Sequence, residues 1–176
     1  MRRFIDKRPP ERAKHFRVVS RRAFVKEPSV EIRVAAASDI DSLVEFNRAM
    51  ALETENRELD AETLRAGVTA VFSDETKGFY AVAEEEGKIV AGLMVTYEWS
   101  DWRDGWFWWI QSVYTLPEHR AKGIYRRLYE FVKERAEARN VCGFRLYVEN
   151  TNNAARSVYE TLGMFRSHYL MYEEEK

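Results

Sequence analysis

From residue 30 onward the spacing of apolar and polar positions changes period in a regular way. Glu31–Ala35 (EIRVA) alternates polar and apolar, the period of a half-buried strand. Ser38 is placed to cap a helix, with Asp39 and Asp41 in a first turn where negative charge suits the helix dipole. Ile40, Leu43, Val44, Phe46 and Met50 then recur at near-helical spacing and predict a first helix. A second is predicted from Asp60, with Leu64, Val68, Val71 and Phe72 on its inner face. Gly78–Ala83 and Ile89–Glu98 read as strands joined by a Gly-containing hairpin turn, Glu85–Lys88. Trp106–Thr115 is aromatic, β-branched and apolar on both faces, which predicts a central strand covered on each side.

The second half continues the alternation. Gly123–Arg139 is a long amphipathic helix with Leu128, Phe131, Val132 and Ala136 on one stripe. Phe144–Val148 reads as a strand, and Asn153–Leu162 as a helix that ends at Gly163. His168–Tyr172 reads as a last strand. The order β-α-α-β-β-β-α-β-α-β predicts an α/β single domain over residues 30–176. Its front half is antiparallel, and the crossover helix at 123–139 makes a parallel pair.

Length and composition narrow the class. A chain of 176 residues, 45% hydrophobic and 32% charged, suits one globular domain. No apolar run approaches the ~20 residues of a membrane-spanning helix, and the N-terminus lacks a secretory apolar stretch, so a cytoplasmic protein without membrane attachment is expected. The single cysteine, Cys142, excludes an internal disulfide and a cysteine-rich zinc site; it reads as a small hydrophobe, and no metal is expected. The net charge of −1 conceals an asymmetry. Residues 1–29 hold ten Lys and Arg against three Asp and Glu, a net of +7, which leaves −8 for the rest. This basic N-terminal extension reads as a solubilising arm, as a segment docked on the body or a second subunit, as a nucleic-acid contact, or as an organelle-targeting segment.

Chemistry concentrates in two segments. In Val113–Leu128 a strand ends at Thr115, Pro117 blocks its continuation, and Arg120-Ala121-Lys122-Gly123 leads into a helix. Unpaired backbone N–H groups and the helix dipole converge at such a junction, and Arg120, Lys122, Arg126 and Arg127 add full positive charge. That combination points to a phosphorylated cofactor, although one glycine with nearby arginines is also ordinary surface sequence. No Gly-Lys-Ser/Thr follows and three spaced glycines are missing, so neither a Walker loop nor a dinucleotide fingerprint is present. In Tyr147–Phe165, Asn150, Asn152 and Asn153 sit at a strand–helix junction, and Tyr159 follows on the helix. Asparagines there can cap the helix or bind an amide-bearing ligand, and Tyr159 taken alone also reads as a residue at the edge of the core.

Together these segments resemble the GNAT acetyltransferases. The family's pyrophosphate motif, Arg/Gln-x-x-Gly-x-Gly/Ala, is matched by Arg120-Ala121-Lys122-Gly123-Ile124-Tyr125, and its second motif by Asn153 through Tyr159 to Gly163-Met164. The resemblance covers residues 30–172 and implies a GNAT-like mixed sheet of six to seven strands with about four helices. It implies acetyl-CoA as cofactor, its pantetheine arm paired with the backbone of Val113, Tyr114 and Thr115. The pyrophosphate would lie on the amides of Ala121–Arg126, and Asn153 would steady the pantetheine amides or the helix start. Tyr159 would be the general acid that protonates the departing thiolate, since an unperturbed phenol keeps its proton at neutral pH. The amine would attack the thioester directly. Two positions depart from the family pattern. Tyr125 stands where a small residue is usual and must turn its ring aside. Gln111 stands where the spermidine/spermine-type branch carries a glutamate base, so water, a backbone carbonyl, Glu149 or Glu98 would take that proton instead.

All five tryptophans lie between residues 99 and 109, and the loop WSDWRDG resembles the segment before the same strand in diamine acetyltransferases. Aromatic faces attract ammonium groups, so Trp102 and Trp109 are expected to contact a small-molecule amine. Asp101, Asp104, Glu53, Glu55 and Glu58 would add charge selectivity. Packing of the sheet explains most of the tryptophans equally well. Acetylation of protein N-termini or lysines, or a non-catalytic acyl-CoA-binding module, stand as alternatives, and the aromatic last strand offers a homodimer interface.

Overall fold

The computed structural model describes residues 29–174; the basic extension lies almost wholly outside the described residues. Five strands form one sheet in the order β1-β2-β3-β4-β5: β1 Glu31–Val34, β2 Phe79–Glu85, β3 Lys88–Ser100, β4 Gly105–Thr115 and β5 Val141–Arg145. Strands β1 to β4 are antiparallel, and β5 joins β4 in parallel across a helix, as the periodicity predicts. Four α-helices surround the sheet: α1 Ile40–Glu55, α2 Ala61–Ser73, α3 Ile124–Glu137 and α4 Asn153–Thr161.

Each face of the sheet carries its own core. On one, Leu93, Val95, Trp108 and Ile110 pack with Ile124, Leu128, Val132 and Ala136 of α3. On the other, Tyr80, Val82 and Tyr114 pack with Leu43, Val44 and Phe46 of α1 and Val68 and Val71 of α2. This three-layer arrangement explains why β3 and β4 are apolar on both sides. Gly78, at φ +134°, lets β2 begin hard against β3, because a Cβ there would lie 1.9 Å from the Val95 carbonyl oxygen.

Three expectations are corrected. The sheet has five strands, not six or seven: His168–Tyr172 forms no strand, and Tyr169, Leu170, Met171 and Tyr172 are exposed. The last strand of the sheet is short, so little edge is offered to a further one. That strand lies three residues earlier than Phe144–Val148, because Trp106 N donates to Asn140 O (2.8 Å) and starts the pairing at Val141. Gly143 then passes under the Phe107 ring, where a Cβ would come within 2.7 Å of a ring carbon. Finally, Asp39 rather than Ser38 precedes α1. Its buried carboxylate accepts from Ala36 N (2.8 Å) and from Arg33 (2.6 and 3.0 Å), and Arg33 also bonds Glu84 of β2. The Arg33 hydrogen bond is the chief reason Asp39 ionises below the usual carboxylate range. Arg33 thus ties Asp39, at the start of α1, to Glu84 of β2, a link between distant segments that local pattern does not reveal.

Candidate active site

Strand β4 is irregular where it nears its end. Gly92 of β3 faces Tyr114 and Met94 faces Gln111, so Leu93 is opposed by two residues, Ser112 and Val113. Ser112 sits at φ +49°, a left-handed conformation inside a strand. Such a bulge re-aims the chain and frees backbone groups from the ladder. Beyond it, Val113 packs towards the α3 core and Tyr114 towards α1 and α2.

After the turn Pro117–His119, the loop into α3 places Ala121 at φ +60° and Gly123 at φ +74°. Left-handed residues interleaved with ordinary ones are the backbone pattern from which anion-binding nests are built. The start of α3 has no side-chain cap and no acidic residue in its first turn. Among the described residues, the first backbone donation from this stretch is Arg127 N to Gly123 O (3.2 Å). A Cβ on Gly123 would meet nothing within 4 Å, so the space over the loop is open. Lys122 and Arg126 are exposed beside it, and Arg127 Nη2 donates to Val30 O. These features fit a bound pyrophosphate.

Arg120 behaves differently. Its Nη2 donates to Glu53 Oε2 (2.6 Å) and its Nε to Thr115 O (2.9 Å), and its guanidinium lies 5.4 Å from the Tyr114 ring centroid. Glu53, offered by the sequence as an acceptor-selecting acid, is thus committed to Arg120 and to the Tyr114 hydroxyl (2.7 Å).

Tyr125 turns its ring away from the loop. It stacks on Tyr129 (centroids 6.3 Å) and meets Tyr159 of α4 edge to face (5.4 Å). Its hydroxyl is buried without a partner among the described residues. The departure from a small residue is therefore absorbed by a tyrosine cluster that joins α3 to α4. Burial raises the Tyr159 pKa above its ordinary value, which keeps the phenol protonated. Asn152, not Asn153, caps α4, accepting from Ala155 N (3.0 Å); Asn153 opens the helix and is exposed.

A shallow cavity of about 380 Å³, widely open to solvent, lies on the sheet face opposite Trp108 and Ile110, lined by Thr96, Glu98, Trp109, Gln111, Tyr147 and Met171 among others. Cross-strand register brings these groups together, since Thr96 faces Trp109 and Met94 faces Gln111. Gln111 Nε2 donates to Thr96 Oγ1 (2.6 Å), and Tyr147 Oη approaches Gln111 Oε1 at 3.4 Å. Glu98 accepts from Trp109 Nε1 and from Arg145 Nη1 (2.6 Å). Burial opposes its ionisation, but those two bonds prevail and hold its pKa below the usual carboxylate value. The cavity wall therefore combines aromatic rings with two carboxylates, Glu98, which is paired with Arg145, and Glu173. Thr96, Tyr147 and Glu173 were not foreseen as lining residues; strand alternation from Glu98 would have found Thr96.

Other candidates lie elsewhere. Trp102 is 86% exposed in the β3–β4 turn and does not line the cavity. Asp101 accepts from the Trp102 backbone in the same turn (2.9 Å). Glu149 accepts from Thr151 N (2.6 Å) and so shapes the approach to α4. No helix among the described residues is long and apolar enough to cross a membrane.

Residues 40–164 match the family model described as Acetyltransferase (GNAT) family. The chain belongs to the GNAT acetyltransferases. The crystal structure of a possible acetyltransferase from Clostridium difficile 630 is 47% identical, with a TM-score of 0.77 over 84% of this chain and 97% of that one. A predicted acetyltransferase from Clostridium acetobutylicum solved with acetyl-CoA shares the fold at 20% identity, with a TM-score of 0.70 over 83% and 96%. As a GNAT enzyme this protein is an N-acetyltransferase that uses acetyl-CoA.

Proposed function

We propose that this GNAT enzyme acetylates the primary amine of a small, cationic molecule by direct attack on the thioester. The observation that carries the reading is the cavity beside the β4 bulge, where the ionised Glu98 adjoins the faces of Trp109 and Tyr147. A carboxylate together with aromatic faces suits an ammonium group.

In this reading acetyl-CoA supplies the acetyl group as a thioester. The amides of Ala121–Arg126 hold its pyrophosphate, with the charges of Lys122 and Arg126 beside them, and the backbone of Val113–Thr115 pairs with the pantetheine. Asn153, at the exposed start of α4, is the residue proposed to contact the pantetheine amides. The neutral amine adds to the carbonyl carbon and the carbon–sulfur bond breaks. Tyr159 gives its phenolic proton to the departing thiolate. Glu98, held ionised by Trp109 and Arg145, is too weak a base to keep the ammonium proton and instead anchors positive charge on the acceptor. Gln111, fixed by Thr96, orients the water that carries that proton away. The proposal includes a cytoplasmic enzyme and a homodimer, for which the exposed Tyr169–Tyr172 segment offers apolar surface.

The test is release of free CoA from acetyl-CoA with polyamines, amino acids, aminoglycosides and short peptides as acceptors. Release that depends on a small cationic amine is expected. Release only with peptides would move the acceptor to proteins. Tight acetyl-CoA binding without turnover on any acceptor would make this a non-catalytic acyl-CoA-binding module.

A further inference from the structure

The side chains of Glu53, Tyr114 and Arg120 have no part in the chemistry proposed above, yet they join three distant pieces of chain. Glu53 lies in the last turn of α1, Tyr114 at the end of β4, and Arg120 at the head of the loop into α3. The Glu53 carboxylate accepts from the Tyr114 hydroxyl (2.7 Å) and from Arg120 Nη2 (2.6 Å). Arg120 Nε donates in turn to Thr115 O (2.9 Å). The Tyr114 hydrogen bond is the largest cause that holds Glu53 below the ordinary carboxylate pKa, so the acid is ionised at neutral pH.

The residue after Arg120 explains what the cluster holds. Ala121 occupies φ +60°, where a side chain other than glycine or asparagine is unfavourable. Such a conformation persists where its surroundings over-determine it. Arg120 is gripped on one side by Glu53 and on the other by the Thr115 carbonyl, which fixes the chain on entry to Ala121. Both side chains of the ion pair are more than two-fifths exposed, and exposed pairs add little to global stability.

We infer that Glu53 is a positioning residue for cofactor binding: by holding Arg120 and Tyr114 it sets the backbone of Ala121–Gly123 in the form that receives a pyrophosphate. The inference rests on the reading of that loop as the acetyl-CoA cradle. It carries a sign that simple electrostatics does not. Glu53 and a pyrophosphate are both anionic, so Coulomb repulsion alone makes removal of Glu53 tighten CoA binding. Positioning makes the same removal weaken it.

Calorimetric titration of the full chain with CoA separates the two. Glu53→Gln keeps the shape and one hydrogen bond while losing the charge, and is expected to weaken CoA binding about threefold to tenfold. Glu53→Ala is expected to weaken it about tenfold or more, and Tyr114→Phe about twofold to threefold. In steady-state assays the loss falls on KM for acetyl-CoA, while kcat and KM for the acceptor stay within about twofold. In an Arg120→Ala background Glu53→Ala changes CoA affinity by no more than about twofold to threefold, the share carried by Tyr114, because the Arg120 partner is gone. Should Glu53→Ala fail to fold, thermal melts reveal it, and the Gln and Phe variants carry the test. Unchanged or tighter CoA binding by Glu53→Gln overturns the inference, as does a full further loss in the Arg120→Ala background. Failure of the unsubstituted protein to bind CoA overturns the cradle reading instead.

Discussion

The loop that enters α3 and the cavity beneath Trp109 are assembled by opposite means. The loop is contiguous, from Arg120 to Arg126, and what it offers is backbone: two left-handed residues and the uncapped start of a helix. The cavity is made of side chains from β3, β4, the chain after β5 and the C-terminal segment, from Thr96 to Glu173. A backbone site tolerates changes of side chain so long as its conformation survives. A side-chain site tolerates changes of backbone neighbour but not of the groups that face the ligand. One enzyme family can thus keep a constant cofactor while its acceptors vary.

Tyr159, whose ring meets Tyr125 in the first turn of α3, gives the largest expected effect. Tyr159→Phe removes the proton donor but keeps the ring that meets Tyr125. We expect kcat to fall at least about tenfold, about 1.4 kcal/mol of transition-state stabilisation, with acetyl-CoA affinity unchanged by calorimetry. Because burial raises the Tyr159 pKa, its acid form persists upward through its ordinary value near ~10. Any loss of kcat from its ionisation therefore falls above that pH in the unsubstituted enzyme. A Tyr159→Phe enzyme with unchanged kcat would remove Tyr159 from the mechanism and leave both binding regions as they stand.

Glu98→Gln acts on the cavity alone. It preserves an acceptor for Trp109 Nε1 but removes the charge, and it leaves Arg145 over the Phe107 ring, 3.6 Å from its centroid. We expect KM for a cationic acceptor to rise about fivefold to tenfold, on the order of 1 kcal/mol, while KM for acetyl-CoA holds. Equal shifts in both constants would mean that the two regions are not separable. Glu98 is held ionised below the usual carboxylate range, so the acceptor preference is expected to be full at neutral pH. It should be lost only as pH falls through that lowered value, as acceptor KM measured against pH would record.

The same contrast explains how much the sequence disclosed. Helix and strand periods located α2 at Asp60 and the crossover α3 with little error, because both are set by local amphipathic pattern and, for α2, by the Asp60 cap on Thr63 N. The loop at Arg120–Gly123 was legible for the same reason: its signature is contiguous. β5 was misplaced by three residues because Phe144–Val148 is the more apolar window, whereas the pairing is fixed by Asn140 and by the fit of Gly143 under Phe107. The partnership of Glu53 with Arg120 joins residues far apart in the chain, and no local pattern announces it. No local pattern marks Tyr147 and Glu173 either, since their place in the cavity depends on how the chain returns after β5 and α4.

The smallest expected effect concerns the tryptophans, where sequence proximity misleads most. Trp102 and Trp109 are seven positions apart and both were expected to contact the acceptor. In the folded chain Trp109 faces Thr96 across the sheet, and its indole nitrogen bonds Glu98. Trp102 lies beyond the last pair, Ser100 with Gly105. Four residue steps at about 3.3 Å each separate that pair from Trp109, roughly 13 Å along the strand. A cation–aromatic contact weakens well before such a distance. Trp109→Ala is therefore expected to raise acceptor KM about threefold to tenfold, by loss of the aromatic face and of one bond that holds Glu98. Trp102→Ala is expected to change it less than about twofold. Acceptor KM measured for both variants with one cationic amine decides the matter. If Trp102→Ala proves the more damaging, the acceptor reaches the β3–β4 turn, and the boundary of the cavity has to be redrawn around the aromatic tip rather than around Gln111.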